Sequence, residues 1–187
     1  MNRTVRSLIA LPLAVAALAG CSAMKDGMDS MRHRMHGGPK AMAKLEPTKG
    51  NTAAGMVMFH QDGEHVMVHA RVSGLKPGQE HGFHVHEKGD CASGDGMGTG
   101  GHFNPTAKPH GPQDADHHAG DMPSLKADAE GKADVKFHLH GVSLKDGPAN
   151  LMGRGVIVHA GPDDYKTQPT GNSGARIACG VIEAHRH

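Results

Sequence analysis

Aromatic residues are nearly absent from this chain of 187 residues, which contains no Trp, one Tyr and four Phe. Large aromatic side chains anchor many protein interfaces. The sequence therefore gives no basis for arguing an oligomer interface or for naming a protein partner, and it favours a monomer. An excess of charge is also missing, because the formal net charge is +1 with histidine neutral. This balance gives no basis for binding nucleic acid or for a polybasic contact with a membrane.

Long hydrophobic runs are missing as well. The main apolar run extends from Leu8 to Ala17 and follows Arg3 and Arg6. A basic start before a short apolar run is typical of an export signal, here residues 1–20, and is too short for a stable membrane span. The segment Leu18-Ala19-Gly20-Cys21 resembles the lipobox of bacterial lipoproteins, which implies cleavage before Cys21 and a lipid on its sulfur. An ordinary secretory signal with Cys21 as a free thiol is the alternative.

Residues 21–53 are rich in methionine and histidine, and we interpret them as a flexible tether between a membrane and a folded domain. Thioether and imidazole ligands suit copper, so the tether could gather metal. The spacing of Met24, Met28 and Met31 is also that of an amphipathic helix, which favours a spacer. Ser22 does not resemble an inner-membrane retention signal, so we expect a periplasmic protein anchored to the outer membrane.

Glycine is abundant, with 27 residues, and it divides the chain into short segments. Asp62-Gly63 and Glu130-Gly131 each lie between apolar segments and predict hairpin turns. Short strands at this spacing, with no long helical period, predict an all-β Greek-key sandwich or flattened barrel of about eight antiparallel strands. We assign this domain to residues 54–187.

His84 and His86 alternate with Phe83 and Val85 in one predicted strand. Alternate side chains of a strand point to the same face, so the two imidazoles project together while Phe83 and Val85 point to the core. The following segment, 88–121, has no sustained apolar period, and a loop of this length is usually functional or disordered. It carries four possible metal ligands, which are His102, His110, His118 and Asp121. Two His and one Asp of the later part could form a tetrahedral zinc site with one further His.

Four segments in one order resemble the copper/zinc superoxide dismutase family. They are Gly82-Phe83-His84-Val85-His86-Glu87, Gly101-His102-Phe103-Asn104-Pro105, His118-Ala119-Gly120-Asp121 and Gly174-Ala175-Arg176-Ile177-Ala178-Cys179-Gly180. The resemblance extends from about Ala54 to Glu183. It implies a β-sandwich with a long metal-binding loop and a second loop near the active site. It also implies disproportionation of superoxide to dioxygen and hydrogen peroxide by alternating reduction and oxidation of copper, which would protect the cell envelope from external superoxide.

The resemblance implies one copper and one zinc ion per subunit. Copper would be bound by His84, His86, His102 and His159, and zinc by His102, His110, His118 and Asp121. His102 would then bridge the two metals and carry a proton during the reaction. His117 adjoins His118 and is the alternative zinc ligand, but His118 is the residue three positions before Asp121, as the motif requires.

Further roles follow from the same resemblance. Asp163 would link a copper histidine to a zinc histidine, whereas we read Asp164 as a turn residue. Arg176 would attract and orient superoxide beside copper, although an arginine near a chain end can also form a structural salt bridge. Lysines 88, 108 and 166 are candidates for steering the anion. A disulfide would join Cys91 to Cys179, which agrees with an odd cysteine count if Cys21 carries lipid.

Two other functions are compatible with the sequence. A copper- and zinc-binding module that stores or delivers metal without turnover would suit the methionine-rich tether. A purely structural sandwich would require His84, His86 and His159 all to be inert. The full ligand set and Arg176 favour the enzyme, because a storage site does not need an arginine that guides an anion.

Overall fold

The computed structural model describes residues 38–185. Within them the chain forms ten strands and one short 3₁₀ turn at Met97–Thr99, with no α-helix. The strands are β1 (Lys40–Pro47), β2 (Ala54–Asp62), β3 (His65–Ser73), β4 (Glu80–His81), β5 (Phe83–His86), β6 (Leu125–Lys126), β7 (Ala133–Leu139), β8 (Gly155–His159), β9 (Arg176–Val181) and β10 (Glu183–Ala184). No helix in this part of the chain is long and apolar enough to cross a membrane. The predicted export signal, Cys21 and the methionines at 24–35 lie outside the described residues.

Eight strands form one curled sheet in which every pairing is antiparallel. The order is β5-β8-β9-β1-β2-β3-β7, and β10 pairs with the start of β1. β1 joins the two parts of this sheet, because Lys40–Leu45 pair with β2 while Glu46 and Pro47 pair with β9. Strands distant in sequence, such as β5 and β8, are therefore neighbours. This arrangement confirms the predicted all-β fold of about eight antiparallel strands.

Alternating side chains build the core between the faces of the curled sheet. On β2, Val57 and Phe59 are buried, and on β3 the same holds for Val66 and Val68. Each side chain of this kind stabilises the fold by about 1.5–3 kcal/mol relative to an exposed position. The other face of these strands is half-buried or exposed. The period of two thus fixes which side chains of a strand face the core and which face away from it.

The sheet begins earlier than the sequence analysis predicts. The range 21–53 was assigned to a flexible tether, but Lys40–Pro47 forms β1, and Ala41, Ala43 and Leu45 are buried in the core. The domain boundary near residue 54 was therefore wrong. The alternation was hard to recognise because two of its three inward side chains are alanines, whereas Met42 and the neighbouring lysines resemble the preceding tether.

Of the two predicted hairpins, the one between β2 and β3 is confirmed, and the one between β6 and β7 is wrong. β2 and β3 pair along their length around a two-residue loop that follows Asp62. The turn near Gly131 is also present, since Asp128 accepts hydrogen bonds from the amides of Glu130 and Lys132. β6, however, pairs with β4 rather than with β7. A tight turn predicts that the chain reverses, but it does not determine the neighbour of a two-residue strand.

The long loop between β5 and β6, residues 87–124, passes twice along β5. Phe103 donates its amide to the carbonyl of Val85, Val85 donates to Gly120, and Gly120 donates to Phe103, each at 2.8 Å. A Cβ on Gly120 would overlap the Val85 carbonyl oxygen, so only glycine permits this approach. Short bridges join His86 to His102 and His84 to Asp121. The loop therefore presents its side chains directly to those of β5.

Candidate metal centre

Four histidines from three parts of the fold converge in one group. His84 and His86 lie on β5, His159 ends β8, and His102 comes from the long loop. One ring nitrogen of each lies within 4.8 Å of the others, and all four residues are buried. Nδ1 of His84 and Nε2 of His86, His102 and His159 have no hydrogen-bond partner among the described residues. Buried polar atoms without partners are rare, and four that face one another fit a bound metal ion.

The opposite ring nitrogens of this group are fixed by acceptors. His84 Nε2 lies 2.7 Å from Asp163 Oδ2, His86 Nδ1 donates to the carbonyl of Gly100 at 2.9 Å, and His159 Nδ1 donates to the carbonyl of Gly174 at 3.0 Å. Such partners set the tautomer and the orientation of a metal-binding imidazole. They leave the four inward nitrogens as lone-pair donors.

Burial keeps His86, His102 and His159 neutral. Burial, with the neighbouring His102, lowers the pKa of His86 to about 2, and burial with His84 lowers the pKa of His159 to about 3. Burial also lowers the pKa of His102 to about 4, although its hydrogen bond to Asp121 opposes the shift. The neutral ring is the form that binds a metal ion.

A second group shares His102 and adds His110, His118 and Asp121. Asp121 Oδ1 lies 2.8 Å from His102 Nδ1 and 3.3 Å from His118 Nδ1, and Asp121 Oδ2 lies 2.9 Å from His110 Nδ1. Nδ1 atoms of His102 and His118 are 3.3 Å apart. Ligands of a tetrahedral zinc ion, at about 2.0–2.1 Å from the metal, are separated by roughly 3.3 Å. The spacing and the donor set fit zinc.

Asp163 connects the two groups. Its Oδ2 lies 2.7 Å from His84 Nε2, and its Oδ1 lies 2.9 Å from His110 Nε2. Burial opposes ionisation of Asp163 and Asp121, but hydrogen bonds to the histidines outweigh it and hold the pKa of both carboxyls below the usual range. The same bonds, to Asp121 and then Asp163, overcome burial and raise the pKa of His110 to about 9.

The neighbours of these residues take other positions. His117 lies outside both groups, with its Nδ1 2.7 Å from the carbonyl oxygen of Ala115. Asp164 accepts hydrogen bonds from the amides of Lys166 and Thr167, as a turn residue does. The structure therefore brings His118 and Asp163 into the centre and leaves His117 and Asp164 at its edge.

Arg176, at the start of β9, lies across from His159 in the sheet register. Its Nη1 donates to the carbonyl of Gly96 and to Thr99 Oγ1, and its Nη2 donates to the carbonyl of Gly100, each at 2.7 Å. Gly100 thus accepts from both Arg176 and His86. No salt bridge to a carboxylate fixes Arg176 within residues 38–185, so the guanidinium charge is not neutralised by a direct partner there.

The predicted disulfide is confirmed, because Cys91 is bonded to Cys179. The bond joins the long loop to β9, three residues beyond Arg176. It therefore holds the loop segment that carries Gly96 and Gly100 against the strand that carries the arginine.

Some supporting residues had no recognisable signal in the sequence. Gln168 accepts from the amide of His110 and donates to its carbonyl, both at 2.8 Å. Thr99 accepts a hydrogen bond from Arg176, but the two residues are 77 positions apart in the sequence, so no local pattern predicts this contact. Of the lysines at 88, 108 and 166, all are exposed, and Lys108 pairs with Asp116 at 3.1 Å.

Comparison with known proteins agrees with this geometry. Residues 53–182 match a family model described as copper/zinc superoxide dismutase. The chain is 40% identical to "Superoxide dismutase [Cu-Zn] 2" of Aquifex aeolicus over 148 residues, or 76% of this chain and 86% of that protein. It is also 40% identical to the superoxide dismutase-like protein YojM of Bacillus subtilis over 144 residues, or 74% of each.

Solved structures of related proteins have the same fold as this chain. A SOD-like protein from Bacillus subtilis superposes with a TM-score of 0.68 at 40% identity, covering 75% of this chain and 96% of that one. The clock protein EA4 superposes with a TM-score of 0.71 at 39% identity, covering 79% of this chain and 96% of that one.

Proposed function

This chain belongs to the copper/zinc superoxide dismutase family, and we propose that it catalyses disproportionation of superoxide to dioxygen and hydrogen peroxide. The observation that carries the proposal is His102, whose two ring nitrogens belong to two buried ligand groups, next to an arginine that has no carboxylate partner within residues 38–185. A metal store would need the ligands but not that arginine.

Copper would be held by His84, His86, His102 and His159, and zinc by His102, His110, His118 and Asp121. Copper supplies one-electron oxidation and reduction, whereas zinc has no one-electron step. The product hydrogen peroxide requires two protons. His102 can hold one of them at Nε2, since that atom is buried and has no other partner among the described residues, while Nδ1 stays beside Asp121.

Arg176 would bind and orient the anion. Three of its N–H groups are engaged by the loop, which fixes the plane of the guanidinium. The Nε–H and one Nη2–H lie in that plane along the same edge of the group, and no hydrogen bond to residues 38–185 uses the Nε–H. Two parallel donors with a positive charge are suited to a small oxyanion.

The test is the decay of pulsed superoxide over the purified protein loaded with both metals, at low and at high salt. We expect fast catalysis that slows with salt, because screening weakens attraction of the anion. Arg176→Ala should keep both metals and lose roughly tenfold to 150-fold in rate, which is the worth of one or more charge-assisted hydrogen bonds. Arg71→Ala, on the outer face of β3, is the control and should keep the full rate.

A second candidate is metal binding without turnover. It is favoured by the names of two relatives, since one is only superoxide dismutase-like and another is a clock protein. Absence of catalysis at full copper and zinc content would establish this candidate and exclude the dismutase. An unchanged rate in Arg176→Ala would remove the arginine from the mechanism.

We also propose that the chain is exported to the periplasm and anchored by lipid on Cys21. The support is the pattern of residues 1–20 together with the Cys91–Cys179 bond, because disulfides persist in oxidising compartments. Cells grown with labelled palmitate should yield a labelled protein that sediments with outer membranes. Cys21→Ala should lose the label, and label that persists in this variant would exclude the anchor.

A further inference from the structure

Methionine and histidine side chains gather on the outer face of β1, β2 and β3, away from the metal centre. The register places Met58 between Met42 and His69, and it places His60 beside Met67 in the next row. Directly opposed residues of a sheet have Cβ atoms about 4.5–5.5 Å apart. With His185, which follows β10, these residues form what we call the outer Met/His face: Met42, Met58, His60, Met67, His69 and His185.

A cavity of about 300 Å³ opens on this face. Its walls include Met58, His60, Met67, His69 and His185, together with Lys40 and Phe59. None of the described residues that line it is a carboxylate, so they offer thioether sulfur and imidazole nitrogen but no acidic oxygen. Hard cations such as Mg²⁺ and Ca²⁺ prefer oxygen ligands, whereas thioethers select Cu(I).

Three observations point to a ligand on the outer Met/His face. His60 Nε2 is buried and has no hydrogen-bond partner among residues 38–185, and such an atom requires an explanation. His185 Nδ1 lies 3.3 Å from Met42 Sδ. In a tetrahedral site, nitrogen and sulfur ligands at about 2.0 and 2.3 Å from one metal ion are separated by roughly 3.5 Å, which is close to this distance.

His69 supplies the third observation. Its Nε2 lies 2.7 Å from Asp134 Oδ1. A carboxylate on one ring nitrogen is the usual support of an imidazole that binds metal through the other, which here is Nδ1.

We propose that the outer Met/His face binds one Cu(I) ion, with Met58 Sδ and His60 Nε2 as central ligands. β9 separates β1 from β8 in the sheet, so this site is distinct from the centre formed by His84, His86, His102 and His159. Neutral ligands leave the bound ion with a single positive charge, which an exposed Lys40 tolerates better than it would a divalent ion.

The experiment uses the full chain with its metal centre loaded, titrated anaerobically with Cu(I) in competition with a chromogenic Cu(I) chelator. The Met58→Leu/His60→Gln double variant should bind one Cu(I) equivalent fewer than the wild type. Met56→Leu is the matched control, because Met56 lies on the same face of β2 but opposite Lys44 and Arg71. It should retain the wild-type stoichiometry. Equal stoichiometry in the double variant and the wild type would overturn the proposal.

A second measurement keeps the result independent of any loss of folding. Ag(I), a redox-inert substitute for Cu(I), is added to the wild-type protein with ¹³C-labelled methionine methyl groups. The methyl signals of Met58 and Met67 should shift at the first equivalent, before the signal of Met56. Shifts that leave Met58 unmoved would overturn the site even if Cu(I) binds elsewhere in the chain.

Discussion

The two halves of the long loop after β5 are fixed by different kinds of bond. The first half, residues 88–101, is tied to β9 by the Cys91–Cys179 disulfide and by Arg176, which donates to the carbonyls of Gly96 and Gly100. The second half, residues 102–124, is held to β5 by backbone hydrogen bonds at Phe103 and Gly120, and its histidines are held by polar contacts with the buried carboxylate of Asp121.

This difference separates a metal-independent part of the centre from a metal-dependent one. Covalent and backbone hydrogen bonds do not respond to metal, so the first half orients His86 and Arg176 through Gly100 in either state. Asp121 instead needs positive charge nearby, which zinc supplies when bound and which a protonated His110 can supply in its place. We therefore expect metal removal to loosen the second half and spare the first.

Removal of the disulfide should have the largest effect. The bond closes a loop of 88 residues, and the chain-entropy account gives it up to about 4–5 kcal/mol. Cys91→Ser/Cys179→Ser should lose most of this stability in chemical denaturation, equally in metal-free and metal-loaded protein. A loss confined to the metal-free protein would show that the two halves do not differ in this way.

The sequence motifs led to the ligand residues because metal chemistry constrains residue type and spacing at once. Gly82–Glu87 and His118–Asp121 carry that signal locally, and the cysteine pair was confirmed. The start of β1 was mispredicted because small residues such as Ala41 and Ala43 give a weak pattern, and burial against β9 and β10 is a tertiary property. Two hydrogen bonds join His110 to Gln168. Because these residues are 58 positions apart, no local pattern in the sequence predicts the bonds.

Acidification of metal-free protein should have the next largest effect. Burial lowers the pKa of His102 to about 4 from an ordinary 6.5, so the unfolded chain takes up the proton first. The contribution of His102 is complete above pH 6.5 and falls toward pH 4 by about 1.4 kcal/mol per unit, or about 3 kcal/mol, and the lowered pKa values of His86 and His159 add to the loss. Denaturation at pH 7 and at pH 4.5 measures this, and amide exchange should locate the opening in residues 102–124.

His110 lies in the same half of the loop and has the opposite effect on the pH dependence of stability, because its contribution is lost at alkaline pH. Its pKa is raised to about 9, against burial, by Asp121 and Asp163, so its contribution is complete below pH 6.5 and is lost as the pH rises to 9. The metal-free protein should therefore be most stable near pH 6.5. Loading with zinc should flatten the alkaline limb, since the bound metal replaces the proton. A metal-free profile that is flat from pH 6.5 to 9 would contradict the assignment.

Asp163→Asn should weaken metal binding at both ligand groups, because Asp163 contacts His84 of one group and His110 of the other. Loss of such an acceptor reduces metal affinity by roughly 10- to 100-fold. Zinc and copper competition titrations measure the change. Asp164→Asn is the matched control at the adjacent, exposed position and should keep the wild-type affinities.

A steric variant sharpens the same test. A Cβ on Gly171 would overlap Asp163 Oδ1 and also His110 Nε2, and the φ of +63° at this position disfavours other residues. Gly171→Ala should therefore reproduce the weaker zinc binding while all charges remain. Wild-type zinc affinity in Gly171→Ala would indicate that the position of Asp163 matters less than its charge.

Tyr165→Phe should have the smallest effect. The Tyr165 hydroxyl accepts from the amide of Ser124 and donates to Ser124 Oγ, each at 2.9 Å, which ties the end of the second half to the loop that carries Asp163. Phenylalanine fills the same space, so the loss is that of the hydrogen bonds, about 1 kcal/mol. Because this link lies beyond the disulfide, amide exchange should quicken at Ser124 and its neighbours but not at residues 88–101. Equal acceleration in both halves would mean that the loop opens as one unit, and the distinction between covalent and metal-dependent fixation would then be wrong.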